Sequence, residues 1–169
     1  GGKVVVYTGI LPVTQNETAL AVVMGHEIAH AIARHGNERM SQGLALQLGG
    51  VGLEVAMGQN PSQTENLLLQ SFGIGSQLGM LAYSRKHESE ADKMGAIYAA
   101  RAGYDPRASI TFWQKMMVEK QKASGGKNPG ALSALFSTHP ADAKRIEDLK
   151  ALMPTVVPIY EKNRGKFSN

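Results

Sequence analysis

The chain of 169 residues has no cysteine, few aromatic residues and no dense run of charges of one sign. Without cysteine it forms neither a disulfide bond nor a thiolate zinc site, and the redox compartment stays open. Lysine and arginine number 18 against 14 acidic residues, which gives a net charge of +4, and aromatic residues make up 6% of the chain. Because the basic residues are scattered and do not alternate with aromatic residues, the composition argues against a nucleic-acid partner.

The sequence also lacks a long uninterrupted apolar run. Residues 38–57 and 63–82 are rich in glycine, alanine and leucine, and the helix breaker Asn60-Pro61-Ser62 stands between them, so the two segments are predicted to form a helical hairpin. A membrane span needs about 20 predominantly apolar residues. Polar residues interrupt both segments, namely Gln47, Glu54, Gln70 and Gln77. We therefore interpret the hairpin as core or as a partner surface, with a membrane anchor as the alternative.

Length and apolar content predict one domain over residues 1–169. A chain of this size can bury a substantial core, and apolar residues make up 43% of it. Residues 3–10 are β-branched and apolar and favour one strand, whereas most other segments have helical character, so the predicted fold class is mainly α (α+β). Pro154 and Pro158 are expected to end a last helix that begins near Pro140, and residues 161–169 are expected to form a mobile tail.

The most informative motif is His26-Glu27-Ile28-Ala29-His30, which has the pattern His-Glu-x-x-His. A capping box at residues 14–17 predicts a helix that contains this motif, runs to about residue 35 and is buried nearly all round. On that helix His26 and His30 lie one turn apart, so that both imidazoles can bind one ion, while Glu27 points about 100° away and can reach a water beside it. Zinc hydrolysis needs such ligands and such a base; the alternative is a pair of core histidines.

A second motif, from Glu88 to Asp92, has the pattern Glu-x-x-x-Asp. If the segment is helical, Glu88 and Asp92 share one face and Glu90 lies on the opposite face. Glu88 is predicted as the third metal ligand, and Asp92 is predicted to accept a hydrogen bond from a ligand imidazole, which fixes the tautomer of that ring. Alone, the segment would suit an exposed acidic helix start; beside two paired histidines, the metal-binding interpretation is favoured.

A third segment, Ser-Thr-His-Pro at residues 137–140, precedes Arg145. Pro140 suits the first position of a helix, and His139 would then lie in the loop that enters it. A protease needs donors for the oxyanion of its tetrahedral intermediate, and His139 and Arg145 are predicted to supply them. The alternative is a polar loop followed by a solvated arginine. The Gly-rich residues 124–137 are predicted to form a lid over the site.

Together these segments resemble the zinc metallopeptidases of peptidase family forty-eight, the HtpX, Oma and CAAX prenyl protease type, and they are most similar to its soluble periplasmic BepA- and LoiP-like members. Four stretches carry the resemblance in the family's order: residues 1–9, 24–35, 83–92 and 137–145. The resemblance implies a zincin-like helical metallopeptidase domain, truncated at its N-terminus. It also implies a short edge strand or hairpin beside the His-Glu-x-x-His helix.

The same resemblance implies a set of site residues. One zinc ion per chain would be bound by His26, His30 and Glu88, and Glu27 would be the general base. His139 would lie next to the metal, where the matching histidine of some relatives is an additional zinc ligand.

The predicted function is a zinc metalloendopeptidase that hydrolyses misfolded or membrane-assembling envelope proteins. Its predicted location is the periplasm, or a membrane facing the periplasm, with a signal or lipid-anchor segment absent from this chain. Peptide or unfolded protein substrates and envelope-assembly partners are expected, and the oligomeric state is left open. Two alternatives stay: a largely latent zinc-binding chaperone or adaptor of the same family, and a helical interaction module whose histidines are core residues.

Overall fold

The computed structural model describes residues 4–124, 136, 138–140 and 142–166, and these are mainly helical, as predicted. A short 3-10 helix at Thr8–Ile10 comes first. The α-helices of the described residues are α1 (Leu11–Thr14), α2 (Glu17–Ile32), α3 (His35–Met57), α4 (Gln63–Arg101), α5 (Ala108–Ser124) and α6 (Ala143–Asn163).

The chain divides into two units: residues 1–29 together with 88–169, and residues 30–87. The divisions fall inside α2 and inside α4, so each of these helices begins in one unit and ends in the other. The first unit contains α1, α5, α6, most of α2 and the end of α4. The second contains α3 and the longer part of α4.

The strand predicted over residues 3–10 is wrong for the residues that the structure describes. Residues 4–7 have no regular structure, although Tyr7 has extended backbone angles (φ −76°, ψ 129°), and a 3-10 helix follows. A strand exists only when a neighbouring strand accepts and donates its backbone hydrogen bonds, and no such neighbour occurs in the described part of the chain. The β-branched side chains stay in solvent, with Val5 exposed by 74% and Tyr7 by 78%.

The N-terminus of α2 is capped by Asn16, two positions later than the predicted capping box. The side-chain oxygen of Asn16 accepts a hydrogen bond from the N–H of Ala19 at 2.8 Å. Thr14 lies instead at the end of α1, where it is buried and its hydroxyl donates to the carbonyl of Leu11 at 3.3 Å. The predicted helix is therefore present, but its predicted cap is wrong.

α2 buries one face rather than its whole circumference. The buried residues of the helix follow helical spacing and are Ala19, Val22, Gly25, His26 and Ala29. On the other side Ile28 is exposed by 39% and Ile32 by 59%. The expectation of an all-round buried helix fails because apolar residues occur on both faces, whereas only one face has neighbours in the described structure.

Within the first unit, α2 and α4 meet backbone to backbone at a pair of glycines. A Cβ atom on Gly25 would lie 2.8 Å from the carbonyl oxygen of Gly95, and a Cβ atom on Gly95 would lie 2.7 Å from the backbone nitrogen of His26. Such distances leave no room for any side chain at either position. This close crossing lies next to His26.

The hydrophobic core of the first unit is formed by residues from the N-terminal turns, α4, α5 and α6. Its buried members are Ile10, Val13, Ala96, Ala100, Phe112, Trp113, Met116, Ile146, Leu149, Met153 and Val156. Helix α5 packs against both α1 and α6. Met116 is fully buried in this core, which suits its flexible thioether side chain.

Helix α6 continues through the two prolines that were expected to end it. Pro154 and Pro158 both lie inside the helix and are exposed, whereas Met153 and Val156 are buried in the core. A proline inside a helix costs about 3 kcal/mol, so packing of the opposite face outweighs the missing hydrogen bonds. The helix reaches Asn163, which extends it into the segment predicted as a mobile tail.

In the second unit, α3 and the first part of α4 form the predicted hairpin around the break at residues 58–62. A Cβ atom on Gly49 would lie 3.4 Å from the ring of Phe72, so the two helices are in close contact there. Helix α4 continues beyond residue 82, where the second segment of the hairpin was predicted to end, because no glycine or proline occurs between Gly79 and Gly95. None of the described helices combines the length and apolarity that crossing a bilayer requires.

Candidate metal centre

The His-Glu-x-x-His motif lies in the second half of α2. His26 is buried on the helix face that enters the core of the first unit, and His30 follows one turn later on the same helix. Glu27 lies between them in sequence, and its side chain is 41% exposed. The helix thus holds two imidazoles one above the other and places the carboxylate of Glu27 on a more open side.

Helix α4 supplies the Glu-x-x-x-Asp motif. Glu88 and Asp92 lie one turn apart and are both buried, whereas Glu90 is exposed. The Oε2 atom of Glu88 lies 3.3 Å from Nε2 of His26. The carboxylate predicted as a ligand therefore faces an imidazole predicted as a ligand.

His139 brings a third imidazole to the same place. Its Nδ1 atom lies 3.0 Å from Oε2 of Glu88 and 3.3 Å from Nε2 of His26. One possible ligand atom from each of four residues, His26, His30, Glu88 and His139, lies within 4.8 Å of the other three. Atoms bound to a tetrahedral zinc ion about 2.1 Å away are separated by about 3.4 Å, which is close to the spacings of 3.0 and 3.3 Å around His139. Imidazole nitrogens and a carboxylate oxygen are also donors that zinc binds.

Glu27 is close to this group without belonging to it. Its Oε1 atom lies 3.5 Å from Nε2 of His139, and it is not one of the four residues that offer clustered ligand atoms. Glu27 lines a small pocket between α2, α4 and α5, together with apolar residues that include Val22, Val23 and Phe112. The position of Glu27 suits a group that exchanges protons beside a metal.

Asp92 contacts the far side of the His26 ring. Its Oδ1 atom lies 3.0 Å from Nδ1 of His26, which leaves Nε2 of that ring facing Glu88 and His139. Burial lowers the pKa of His26, but its bonds with Asp92 and Glu88 outweigh burial and raise the pKa to about 9. Burial raises the pKa of Asp92, yet the hydrogen bonds from His26 and Arg145 hold it below its usual range. Asp92 is thus an ionised partner of the imidazole.

Arg145 lies deeper than the sequence suggested. It is 2% exposed, and its guanidinium makes two bonds to Asp92, from Nε at 2.6 Å and Nη2 at 2.7 Å. Its Nη1 atom lies 2.9 Å from Oε2 of Glu88 and donates to the carbonyl of Pro140 at 3.0 Å. Arg145, which was predicted to donate to the oxyanion, therefore directs its N–H groups mainly to the two buried carboxylates of α4. In this position it fixes both of them.

The helix that carries Arg145 begins later than predicted. Asp142 is the N-cap of α6, and its side chain accepts a hydrogen bond from the N–H of Arg145 at 2.9 Å. The expected start at Pro140 is therefore wrong, because Asp142 caps better than Thr138 or His139 and Pro140 stays outside the helix. The predicted lid at residues 124–137 lies almost wholly outside the described residues.

Trp113 of α5 belongs to the site, although no role was predicted for it from the sequence. Its Nε1 atom donates to Oδ1 of Asp92 at 3.1 Å, and the guanidinium carbon of Arg145 lies 3.7 Å from the centre of its ring. The ring also meets that of His26 edge-on, with centroids 5.7 Å apart. A single tryptophan within an amphipathic helix gives no sequence signal of such a role.

The sequence is similar to known metallopeptidases over most of its length. The model of the family described as Peptidase family M48 matches residues 1–153. Mitochondrial metalloendopeptidase OMA1 of Saccharomyces cerevisiae is 37% identical over 96% of this chain, and human metalloendopeptidase OMA1 is 37% identical over 95%. The beta-barrel assembly-enhancing protease of Escherichia coli K12 is 31% identical over 99%.

The chain spans less than half of the length of these curated relatives. It corresponds to 44% of the yeast protein, 30% of the human protein and 34% of the Escherichia coli protein. No solved structure matches the chain significantly.

Proposed function

Because the chain belongs to peptidase family M48, we propose that it is a zinc metalloendopeptidase of the gluzincin type, with His-Glu-x-x-His and Glu-x-x-x-Asp as its metal-binding motifs. The observation that carries the proposal is the cluster of His26, His30, Glu88 and His139, whose ligand atoms lie within 4.8 Å of one another. A pair of core histidines does not account for a buried carboxylate and a third imidazole at the same point.

In this proposal His26, His30 and Glu88 hold one zinc ion per chain. Zinc, when bound, supplies Lewis acidity that activates water and polarises the scissile carbonyl. Asp92 keeps the proton of His26 on Nδ1, so that Nε2 stays available as a ligand. Arg145 compensates the negative charges of Glu88 and Asp92, which are both buried.

Glu27 is the proposed general base. Its carboxylate is more exposed than the ligand side chains and lies beside His139, so it can take a proton from water and pass it to the leaving amine. His139 is proposed as an extra ligand in the resting enzyme that becomes a donor to the oxyanion when substrate binds. Arg145 is proposed to act through Glu88 and Asp92, since its guanidinium is already engaged by them.

The proposed substrates are misfolded or membrane-assembling proteins of a bacterial envelope, in keeping with a role in protein quality control. The support is the similarity to a protein named a beta-barrel assembly-enhancing protease. A location in the periplasm, or on a membrane that faces it, is proposed on the same ground. The mitochondrial relatives show that this similarity extends to proteins of another compartment.

The test compares the parent protein with Glu27→Gln in zinc content and in digestion of casein, with and without a chelator. We expect one zinc per chain in both proteins and a 10²–10⁴-fold loss of hydrolysis in the variant, because glutamine keeps the shape but cannot accept a proton. The matched control is Glu90→Gln, which changes an exposed glutamate and should leave both readouts unchanged. Activity of Glu27→Gln within about tenfold of the parent would exclude the base role.

A second function, a largely latent zinc-binding chaperone or adaptor, is favoured by the position of His139 within the ligand cluster. An imidazole that takes the open metal position blocks hydrolysis until it moves. The same pair of proteins separates the two functions. If the parent and Glu27→Gln both prevent aggregation of an unfolded protein and neither digests it measurably, the adaptor function is favoured.

A further inference from the structure

The turn between α2 and α3 brings His35 into contact with His30 of the metal-binding motif. α2 ends at Ile32, and Arg34, the N-cap of α3, has the left-handed conformation (φ 59°, ψ 31°). His35 is the first residue of α3 and is 4% exposed. Its Nδ1 atom lies 2.9 Å from Nδ1 of His30, so the two rings form a hydrogen-bonded pair.

Only one direction of this bond is compatible with metal binding by His30. A bond between two imidazole nitrogens requires a proton on one and a lone pair on the other. If His30 binds zinc through Nε2, its single proton in the neutral form lies on Nδ1. His30 is then the donor, and Nδ1 of His35 is the acceptor.

We propose that His35 is a positioning residue for His30: its Nδ1 atom accepts the hydrogen bond that selects the metal-binding tautomer of His30 and fixes the orientation of its ring. The proposal rests on the proposed function, because it assigns a role toward zinc. His35 is not one of the four clustered residues of the described chain, so it acts through His30 rather than as a ligand.

The ring of His35 is itself held from the other side. It stacks on the ring of His87, with centroids 4.1 Å apart and planes at 13°. Nε2 of His87 lies 2.8 Å from Oε2 of Glu38, and the ring of Tyr83 meets His87 edge-on at 4.2 Å. Hydrogen bonds from Tyr83 and His87 lower the pKa of the Glu38 carboxyl, which keeps it an acceptor. This chain of contacts fixes the plane of the acceptor ring.

The two histidines of α2 would thus have different partners for the same purpose. Nδ1 of His26 faces the carboxylate of Asp92 at 3.0 Å, whereas Nδ1 of His30 faces a second imidazole. A ligating histidine almost always donates its other N–H to such a partner. An imidazole partner orients the ring without adding a negative charge to the site.

The test compares His35→Phe and His35→Asn with the parent protein. Phenylalanine keeps a ring that can stack on His87 but has no acceptor, whereas asparagine can place its side-chain oxygen near the position of Nδ1. Zinc affinity, measured by competition with a chelator, should fall 10–100-fold in His35→Phe and be largely restored in His35→Asn. The matched control is Asn37→Ala, an exposed position in the same first turn of α3, with unchanged affinity expected.

A readout that needs no metal separates this proposal from the proposed function. In the metal-free protein, ¹⁵N NMR of the histidines should show neutral His30 with its proton on Nδ1, and His35→Phe should lose this preference. Thermal unfolding monitors whether each variant folds. Three results would each overturn the proposal. The first is equal zinc affinity in His35→Phe and the parent, and the second is an equal loss of affinity in both His35 variants. The third is a proton on Nε2 of neutral His30 in the parent. A parent protein that binds no zinc but has the expected tautomer would instead overturn the proposed function.

Discussion

Asp92 joins three side chains that lie far from one another in sequence. Its carboxylate contacts Nδ1 of His26, Nε1 of Trp113 and the guanidinium of Arg145. Each contact has its own effect: the bond to His26 orients a proposed ligand, and the bonds from Arg145 and Trp113 hold the carboxylate in place and stabilise its charge. A buried carboxylate with this many donors is fixed in both position and ionisation.

Replacing Asp92 with asparagine should weaken zinc binding while every proposed ligand stays present. Asparagine has a similar shape, but it lacks the charge that favours a proton on Nδ1 of His26, and Arg145 loses one of its two carboxylate partners. We expect a 10–100-fold loss of zinc affinity or of hydrolysis, measured by chelator competition and casein digestion. Unfolding in urea is followed in parallel, so that a loss of fold is recognised. Glu90→Gln on the same helix is the control, and an Asp92→Asn protein that matches it in both readouts would exclude the orienting role.

The positions of single site residues were predictable from the sequence where the residues lie within one helical turn of each other. The spacings of His26 with His30 and of Glu88 with Asp92 are set by one turn of helix, so the faces that they share follow from 3.6-residue periodicity. Arg145 and Trp113 meet Asp92 across separations of 53 and 21 residues. These contacts depend on how α5 and α6 pack, which no local pattern encodes. For the same reason the bond between His30 and His35 depends on a left-handed residue, Arg34, that the sequence does not mark.

At the scale of helices, the crossing of α2 and α4 in the first unit decides whether the two motifs can meet. The glycines at the crossing, Gly25 and Gly95, allow the backbones to touch directly beside His26. From that point Asp92 lies one helical turn before Gly95 on α4. The distance of 3.0 Å between Asp92 and His26 is therefore a consequence of the absent side chains.

Substituting Gly95 with alanine should separate the helices and weaken the site. The added Cβ atom would lie 2.7 Å from the backbone nitrogen of His26, and backbone atoms cannot move aside as a flexible side chain does. We expect a loss of about 1–3 kcal/mol in the free energy of unfolding, measured in urea, together with weaker zinc binding. Gly79→Ala is the matched control on the same helix, where an added Cβ meets nothing within 4 Å. That change should stabilise the helix by up to about 1 kcal/mol, and an equal effect at both positions would contradict the role of the close crossing.

Whole elements were predicted well where apolar spacing is strong and poorly where packing opposes local preference. The predicted α2 and the predicted hairpin of α3 with α4 are present. The strand over residues 3–10 fails because β-branched residues favour a strand only beside a pairing partner. Pro154 and Pro158 were expected to end α6, but the buried face around Val156 holds the helix together. In each case the error follows from long-range contacts that a single sequence does not show.

At the scale of the whole molecule, the candidate centre gathers residues from three distant stretches of chain. His26 and His30 come from α2, Glu88 comes from α4, and His139 lies just before α6. An unfolded chain does not hold four such groups around one ion. Zinc should therefore bind the folded protein far more tightly than the unfolded chain, and its binding free energy adds to folding stability.

Removal of the metal should accordingly destabilise the protein in a way that depends on the ligands. With free zinc at about 1,000 times the dissociation constant, binding should add about 4 kcal/mol to the free energy of unfolding, and an excess of chelator should remove that contribution. Urea unfolding with and without chelator measures this contribution.

His26→Ala is the control for the ligand set, since it should bind little zinc and its unfolding midpoint should not respond to chelator. His139→Ala should keep part of the response, because His26, His30 and Glu88 remain. A chelator response that is the same in the parent and in His26→Ala would place the stabilising ion elsewhere.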